Sequence, residues 1–155
     1  MFAGRSINIP EMLQRLEQTA QRLGLPFGER RMSFNSRRAQ EAAKWAESHG
    51  KADAFHNAVF RAYFVDGKNL HAIETLAAAA ESVGLTGGDL DEVLRNKTFK
   101  AAVDQDWLRS HQLGINAVPT FRMNGENLVG AQPYEQLAAF LTAQRVPACN
   151  SSGVP

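Results

Sequence analysis

The 155 residues contain a single thiol, Cys149, in the polar tail 147–155 that reads Pro-Ala-Cys-Asn-Ser-Ser-Gly-Val-Pro. One thiol cannot close an intrachain disulfide, and no Cys/His set has zinc-finger spacing. No neighbouring base or cation would hold the Cys149 thiol in its reactive form, so an exposed thiol on a flexible end is expected. The histidines are His49, His56, His71 and His111, and no two share the short helical spacing of a zinc site. They are expected at helix ends or on the surface, with no metal and no cofactor held. Asp104 and Asp106 lie two apart on a helix and do not face each other, a poor geometry for paired acid–base work. Gly87 and Gly88 follow no strand and so do not read as a phosphate cradle. Arg30, Arg31, Arg37 and Arg38 form a modest basic cluster, expected to be solvated.

The segment with chemical content is 114–121, Gly-Ile-Asn-Ala-Val-Pro-Thr-Phe. Pro119 cannot donate to a strand ladder, so it either opens a strand or occupies a cis turn. In the cis case the N–H and C=O of Val118 turn outward and offer main-chain partners to an extended peptide. In the trans case Pro119 merely breaks the loop before a strand, and local chemistry alone leans that way.

The elements that must position this segment are mostly helical. Asn8 and Glu11 read as a capping box for a first helix with Met12, Leu13, Leu16, Ala20 and Leu23 on one face, stopped at Gly24. Residues 25–34 read as extended connector. A second helix runs 35–49, with Ala39, Ala42, Ala43 and Ala46 on a small-residue face. A third runs 52–65; its Phe55, Val59, Phe60, Tyr63 and Phe64 cover more than one face and predict deep burial. The fourth spans 70–83, with Ala77–80 as close helix packing. The fifth starts at Asp89 with Glu92 completing a capping box, and the sixth spans 97–113. Residues 118–123 then read as a strand, Asn124-Gly125 as a two-residue hairpin turn and 127–130 as the return strand. A last helix opens near Gln132 and buries Leu137, Phe140 and Leu141. Two good strands make an incomplete sheet, because a lone hairpin leaves its outer edges unpaired.

An apolar fraction of 44%, a charged fraction of 21% and a net charge of +1 are those of an ordinary globular domain. They speak against a nucleic-acid or anionic-membrane surface. No apolar run is long enough to span a bilayer, and the first residues have no signal-peptide core. The expectation is a soluble, cytoplasmic protein.

Residues 114–121, the Asn124-Gly125 hairpin and Gly130-Ala-Gln-Pro133 together resemble the cis-proline half of DsbA-like thiol–disulfide oxidoreductases. The FrnE-like branch, related to kappa-class glutathione transferases and 2-hydroxychromene-2-carboxylate isomerases, is the most similar. Residues 34–46 and 54–64 resemble the helical insertion of that branch, and the likeness extends over about 4–146. The resemblance implies an α/β, mostly helical, thioredoxin-like fold divided into a helical insertion domain at 1–113, the C-terminal half of the thioredoxin-like domain at 114–146 and a flexible tail at 147–155. In the family a strand, a Cys-x-x-Cys turn and a second strand come first. This sequence begins after all three, so a truncated chain with only one hairpin left is expected, by fragmentation or a misplaced start in preference to a natural truncation.

Thiol–disulfide exchange on a protein or small-thiol substrate is the implied activity. Ala117, Val118, Pro119 and Thr120 would hold the substrate, and no residue of this chain would be catalytic. Two rival expectations are a non-redox peptide-binding or self-associating module, with a homodimer through the hairpin edge, and a fragment of a glutathione-dependent transferase or isomerase.

Overall fold

Six of the seven helices among the described residues end in the same way, and that ending fixes the path of the chain. The structure, a computed structural model, describes residues 8–29 and 32–147. Its helices are α1 (Ile9–Arg22), α2 (Arg37–Ser48), α3 (Ala52–Phe64), α4 (Ile73–Ser82), α5 (Gly87–Arg95), α6 (Lys100–Gln112) and α7 (Tyr134–Ala143). After α3 the positive-φ Gly67 comes three residues on, whereas two residues past each of the others a residue with positive φ (Gly24, Gly50, Gly84, Lys97, Gly114 or Arg145) turns the chain back. Its own N–H and the next one then bond to carbonyls of the last helical turn. At α4, for example, Gly84 N donates to Glu81 O at 3.0 Å and Leu85 N to Ala80 O at 3.0 Å. This pairing satisfies helix-end carbonyls that would otherwise be left without donors.

The chain divides into two compact units, 1–104 and 105–155. In the first, α2 packs on α3, α4 and α5, while α4 packs on α3 and α5. Their common core holds Ala42, Trp45, Ala46, Phe55, Val59, Leu76, Ala80, Leu90 and Leu94. The alanines let the helix axes approach, and Phe55, Leu76 and Leu90 fill the space between them.

Several expectations change here. Helix α3 is buried on one side only: Phe55 is fully enclosed, whereas Phe60 is 57% exposed and Phe64 is also exposed. The outer aromatics instead form a ladder of rings, His56–Phe60–Phe64–Phe27, with centroids 6.3, 6.1 and 6.4 Å apart. Helix α4 begins at Ile73, three residues later than expected, because Asn69 Oδ1 accepts from His71 N at 2.8 Å and closes a turn first. Helix α5 begins at Gly87, ahead of Asp89, and no side chain caps it, so the Asp89–Glu92 capping box does not form. Helix α6 starts at Lys100 because Lys97 turns the chain out of α5. In α1, Asn8 Oδ1 does accept from Glu11 N at 3.3 Å, but the Glu11 carboxylate pairs with Arg15 at 2.6 Å and does not reach back. Of the expected α1 stripe only Ala20 is buried, while Met12, Leu16 and Leu23 remain exposed.

Residues 25–29 form an extended connector that lies against the end of α3. Gly28 N donates to Phe64 O at 2.9 Å, and a Cβ at Gly28 would collide with the Val65 carbonyl.

In the second unit, β1 (Thr120–Met123) and β2 (Glu126–Val129) form an antiparallel hairpin, the two-stranded sheet of the described residues. Its register pairs Thr120 with Val129, Phe121 with Leu128, Arg122 with Asn127 and Met123 with Glu126. Asn124 and Gly125 both have positive φ, 50° and 87°, which matches the twist of a two-residue hairpin. The stripe expected on α7 is only half covered: Leu137 and Phe140 are half-buried, and Leu141 is exposed. Between 105 and 147 no residue is buried.

Candidate functional site

The loop between α6 and β1 is held at both ends. At its entry, Gly114 N donates to His111 O at 2.9 Å and Ile115 N to Ser110 O at 2.9 Å, closing α6. At its exit, Gly130 N donates to Pro119 O at 2.8 Å, so the hairpin ladder extends one pair beyond Thr120. Thr120 Oγ1 donates to Ala117 O at 2.6 Å across the bend between them. The Val118–Pro119 peptide bond is cis.

Ala117, Val118, Pro119 and Thr120 thus share one short, internally bonded bend, and three of the four are exposed. Val118 is 88% exposed. Among the described residues, neither its N–H nor its C=O has a partner, while the carbonyls on both sides of it are bonded.

The hairpin edges differ. Alternation in an antiparallel ladder turns the main-chain groups of Thr120 and Arg122 out from β1, and those of Asn127 and Val129 out from β2. On β2 the Gln132 side chain caps that edge, donating to Val129 O at 2.6 Å. No such cap lies on β1 among the described residues.

Two functional-looking side chains escaped the sequence reading. Arg122 Nη1 donates to Leu113 O at 3.0 Å and to Asn127 Oδ1 at 2.8 Å, and Asn127 Nδ2 donates to the same Leu113 O at 3.4 Å. The signal was present: a two-residue turn at Asn124-Gly125 forces 122 opposite 127.

Other candidates have structural roles. Arg37 is not a solvated cation. Its Nε donates to the buried Glu41 at 2.9 Å, and its Nη2 donates to Lys100 O at 2.8 Å and Asp104 Oδ1 at 2.7 Å. Lys100 Nζ bonds the other Asp104 oxygen at 2.7 Å. Hydrogen bonds from Lys100 and then Arg37 hold the Asp104 carboxyl below the ordinary carboxylate range, and the Arg37 guanidinium is pushed up by Glu41 and then Asp104. Arg38 donates to His71 O at 2.9 Å, tying α2 to the turn before α4. His49 Nδ1 lies 2.9 Å from Trp45 O at the end of α2. No group of three or more metal-ligating side chains occurs among the described residues. No described helix is long and apolar enough to cross a membrane. Cys149, Arg30 and Arg31 lie outside the described residues.

A family model for a DSBA-like thioredoxin domain matches residues 5–142. The fold is similar to that of a Streptomyces coelicolor protein described as a probable DsbA oxidoreductase. The TM-score is 0.76 at 26% identity, covering 92% of this chain and 68% of that one. It is also similar to a 2-hydroxychromene-2-carboxylate isomerase, with a TM-score of 0.72 at 22% identity over 88% of this chain and 66% of that one. That second likeness is one of fold alone. YwbO, an uncharacterized protein of Bacillus subtilis, is 30% identical over 94 residues, 60% of this chain and 47% of YwbO. The chain therefore spans about half the length of the curated relative it matches. Helices α1 to α6, the hairpin, the loop at Pro119 and all but the last residue of α7 fall within the matched residues, and the chain belongs to the DSBA-like thioredoxin domain family.

Proposed function

We propose that this chain is the substrate-holding part of a thiol–disulfide exchange protein. In this reading 1–113 forms a helical insertion and 114–146 carries the loop that takes the substrate. Ala117, Val118, Pro119 and Thr120 receive the backbone of an extended protein or small-thiol substrate, and the chain by itself does not turn disulfides over. The observation that carries this reading is Val118, exposed and with both main-chain groups open between two neighbours whose carbonyls are bonded. An extended peptide can match that N–H and C=O as one rung of a ladder. The likeness to a protein described as a probable DsbA oxidoreductase supports the chemistry. One cysteine in 155 residues supports the absence of a working dithiol and fits a reducing, cytoplasmic setting.

Two assays test this. A fluorescent S-carboxymethylated insulin B chain should bind, and Pro119→Ala should weaken binding; equal binding by the variant would remove the loop from the site. Dithiothreitol-driven insulin reduction should run no faster with the chain than in a buffer blank. Acceleration lost in Cys149→Ser would instead make the tail thiol a working nucleophile.

The open outer edge of β1 favours a second reading that is compatible with the first. The hairpin pairs with a second copy through β1 and not through β2, where Gln132 occupies the Val129 carbonyl.

A further inference from the structure

We propose that Arg122 and Asn127 are positioning residues that set the presentation of the Val118 main chain, an inference that rests on the peptide-holding reading of the Pro119 loop. The argument starts at the end of α6. Leu113 contributes a carbonyl that has left the helical ladder, at the end where the helix dipole is negative. A guanidinium is the side chain best suited to that place, and Arg122 puts one there at 3.0 Å. Asn127, opposite Arg122 in the register, accepts from the same guanidinium nitrogen and donates to the same carbonyl. The three groups close a ring of hydrogen bonds between the last turn of α6 and one face of the hairpin.

The ring matters for the loop because of chain length. Only residues 113–119 separate α6 from β1. The exit of that loop is fixed by Gly130 N to Pro119 O, and its middle by Thr120 Oγ1 to Ala117 O. Without the ring, the entry could shift against the hairpin and carry Asn116, Ala117 and Val118 with it. With it, both ends are referred to the same two strands, so Val118 N–H and C=O keep one direction in the free protein. Such preorganisation reduces the ordering a bound peptide would otherwise impose.

The test uses the full chain and four variants: Arg122→Ala, Arg122→Lys, Asn127→Ala and Pro119→Ala. Affinity is read with the fluorescent S-carboxymethylated insulin B chain, and amide hydrogen exchange is read in the absence of peptide. Loss of a charged hydrogen bond should make Arg122→Ala bind about tenfold more weakly. Its Ile115 and Gly130 amides should exchange faster, while those of α2 to α5 remain unchanged. Lysine keeps a cation able to reach the carbonyl, so Arg122→Lys should recover most of the affinity, and Asn127→Ala should fall between. Unchanged Ile115 and Gly130 exchange in Arg122→Ala would overturn the proposal whether or not peptide binds. So would unchanged affinity in Arg122→Ala beside a loss in Pro119→Ala. If no chain binds the peptide, the holding function fails, and the exchange data alone decide whether Arg122 and Asn127 fix the loop.

Discussion

At Gly28 the connector passes so close to the end of α3 that a side chain has no room, because the atom in the way is the Val65 carbonyl of the main chain. Backbone cannot swing aside as a flexible side chain can. Gly28→Ala should therefore destabilise the first unit by about 2 kcal/mol, the scale of overpacking at a tight site, and urea denaturation would measure it. Asp104 gives a second test, with a definite sign. Its folded pKa lies below its ordinary value because Lys100 and then Arg37 donate to it. A group of this kind stabilises the fold above its unfolded pKa, and the contribution is lost as pH falls through the folded pKa. Asp104→Asn should melt below the parent at neutral pH, and the two curves should converge as the pH drops under about 4, the usual aspartate range. A gap that persisted or widened in acid would mean that the carboxylate charge is not what Arg37 and Lys100 require.

Among the elements, α3 separates what a sequence pattern can tell from what packing decides. Its five large apolar residues suggest burial all round, but α3 meets the other helices on one side only, and the outer rings stack on one another. Phe55→Ala should cost about 4 kcal/mol, as for other buried aromatics, whereas Phe60→Ala should change stability little. Equal losses would restore the expectation of a helix buried all round. The helix ends were far more legible, since Gly24, Gly50, Gly84 and Gly114 all stand where the chain turns back. Starts were harder to read: Asn69 diverts its neighbours into a turn, and Lys97 takes the left-handed conformation without being glycine. The hairpin turn at Asn124-Gly125 followed from local chemistry alone. The loop at Pro119 was also visible, because a proline before a strand is informative whatever surrounds it. Arg122 and Asn127 were not singled out, because their role depends on the cross-strand register and on a helix carbonyl nine residues upstream.

On the scale of the whole molecule, the two units differ in how much they bury. The first has a shared four-helix core, whereas no described residue of the second is buried and Tyr134, Val129 and Phe121 are exposed. A hairpin, α7 and the last two turns of α6, without an enclosed side chain, have little apolar burial to offset the ordering of their backbone. The hairpin amides should consequently exchange through local opening well below the free energy that protects α2 to α5. The open β1 edge gives this weak unit a remedy, since pairing with a second copy would satisfy the outward groups of Thr120 and Arg122. Sedimentation across the micromolar range should then show a concentration-dependent dimer. Protection at Thr120 and Arg122 should rise with concentration, while protection in the helical core stays level. Gln132→Ala would uncover the Val129 carbonyl and open the second edge, so it should extend the dimer towards larger assemblies. A strict monomer with concentration-independent exchange would show that the β1 edge does not serve this chain as its own partner.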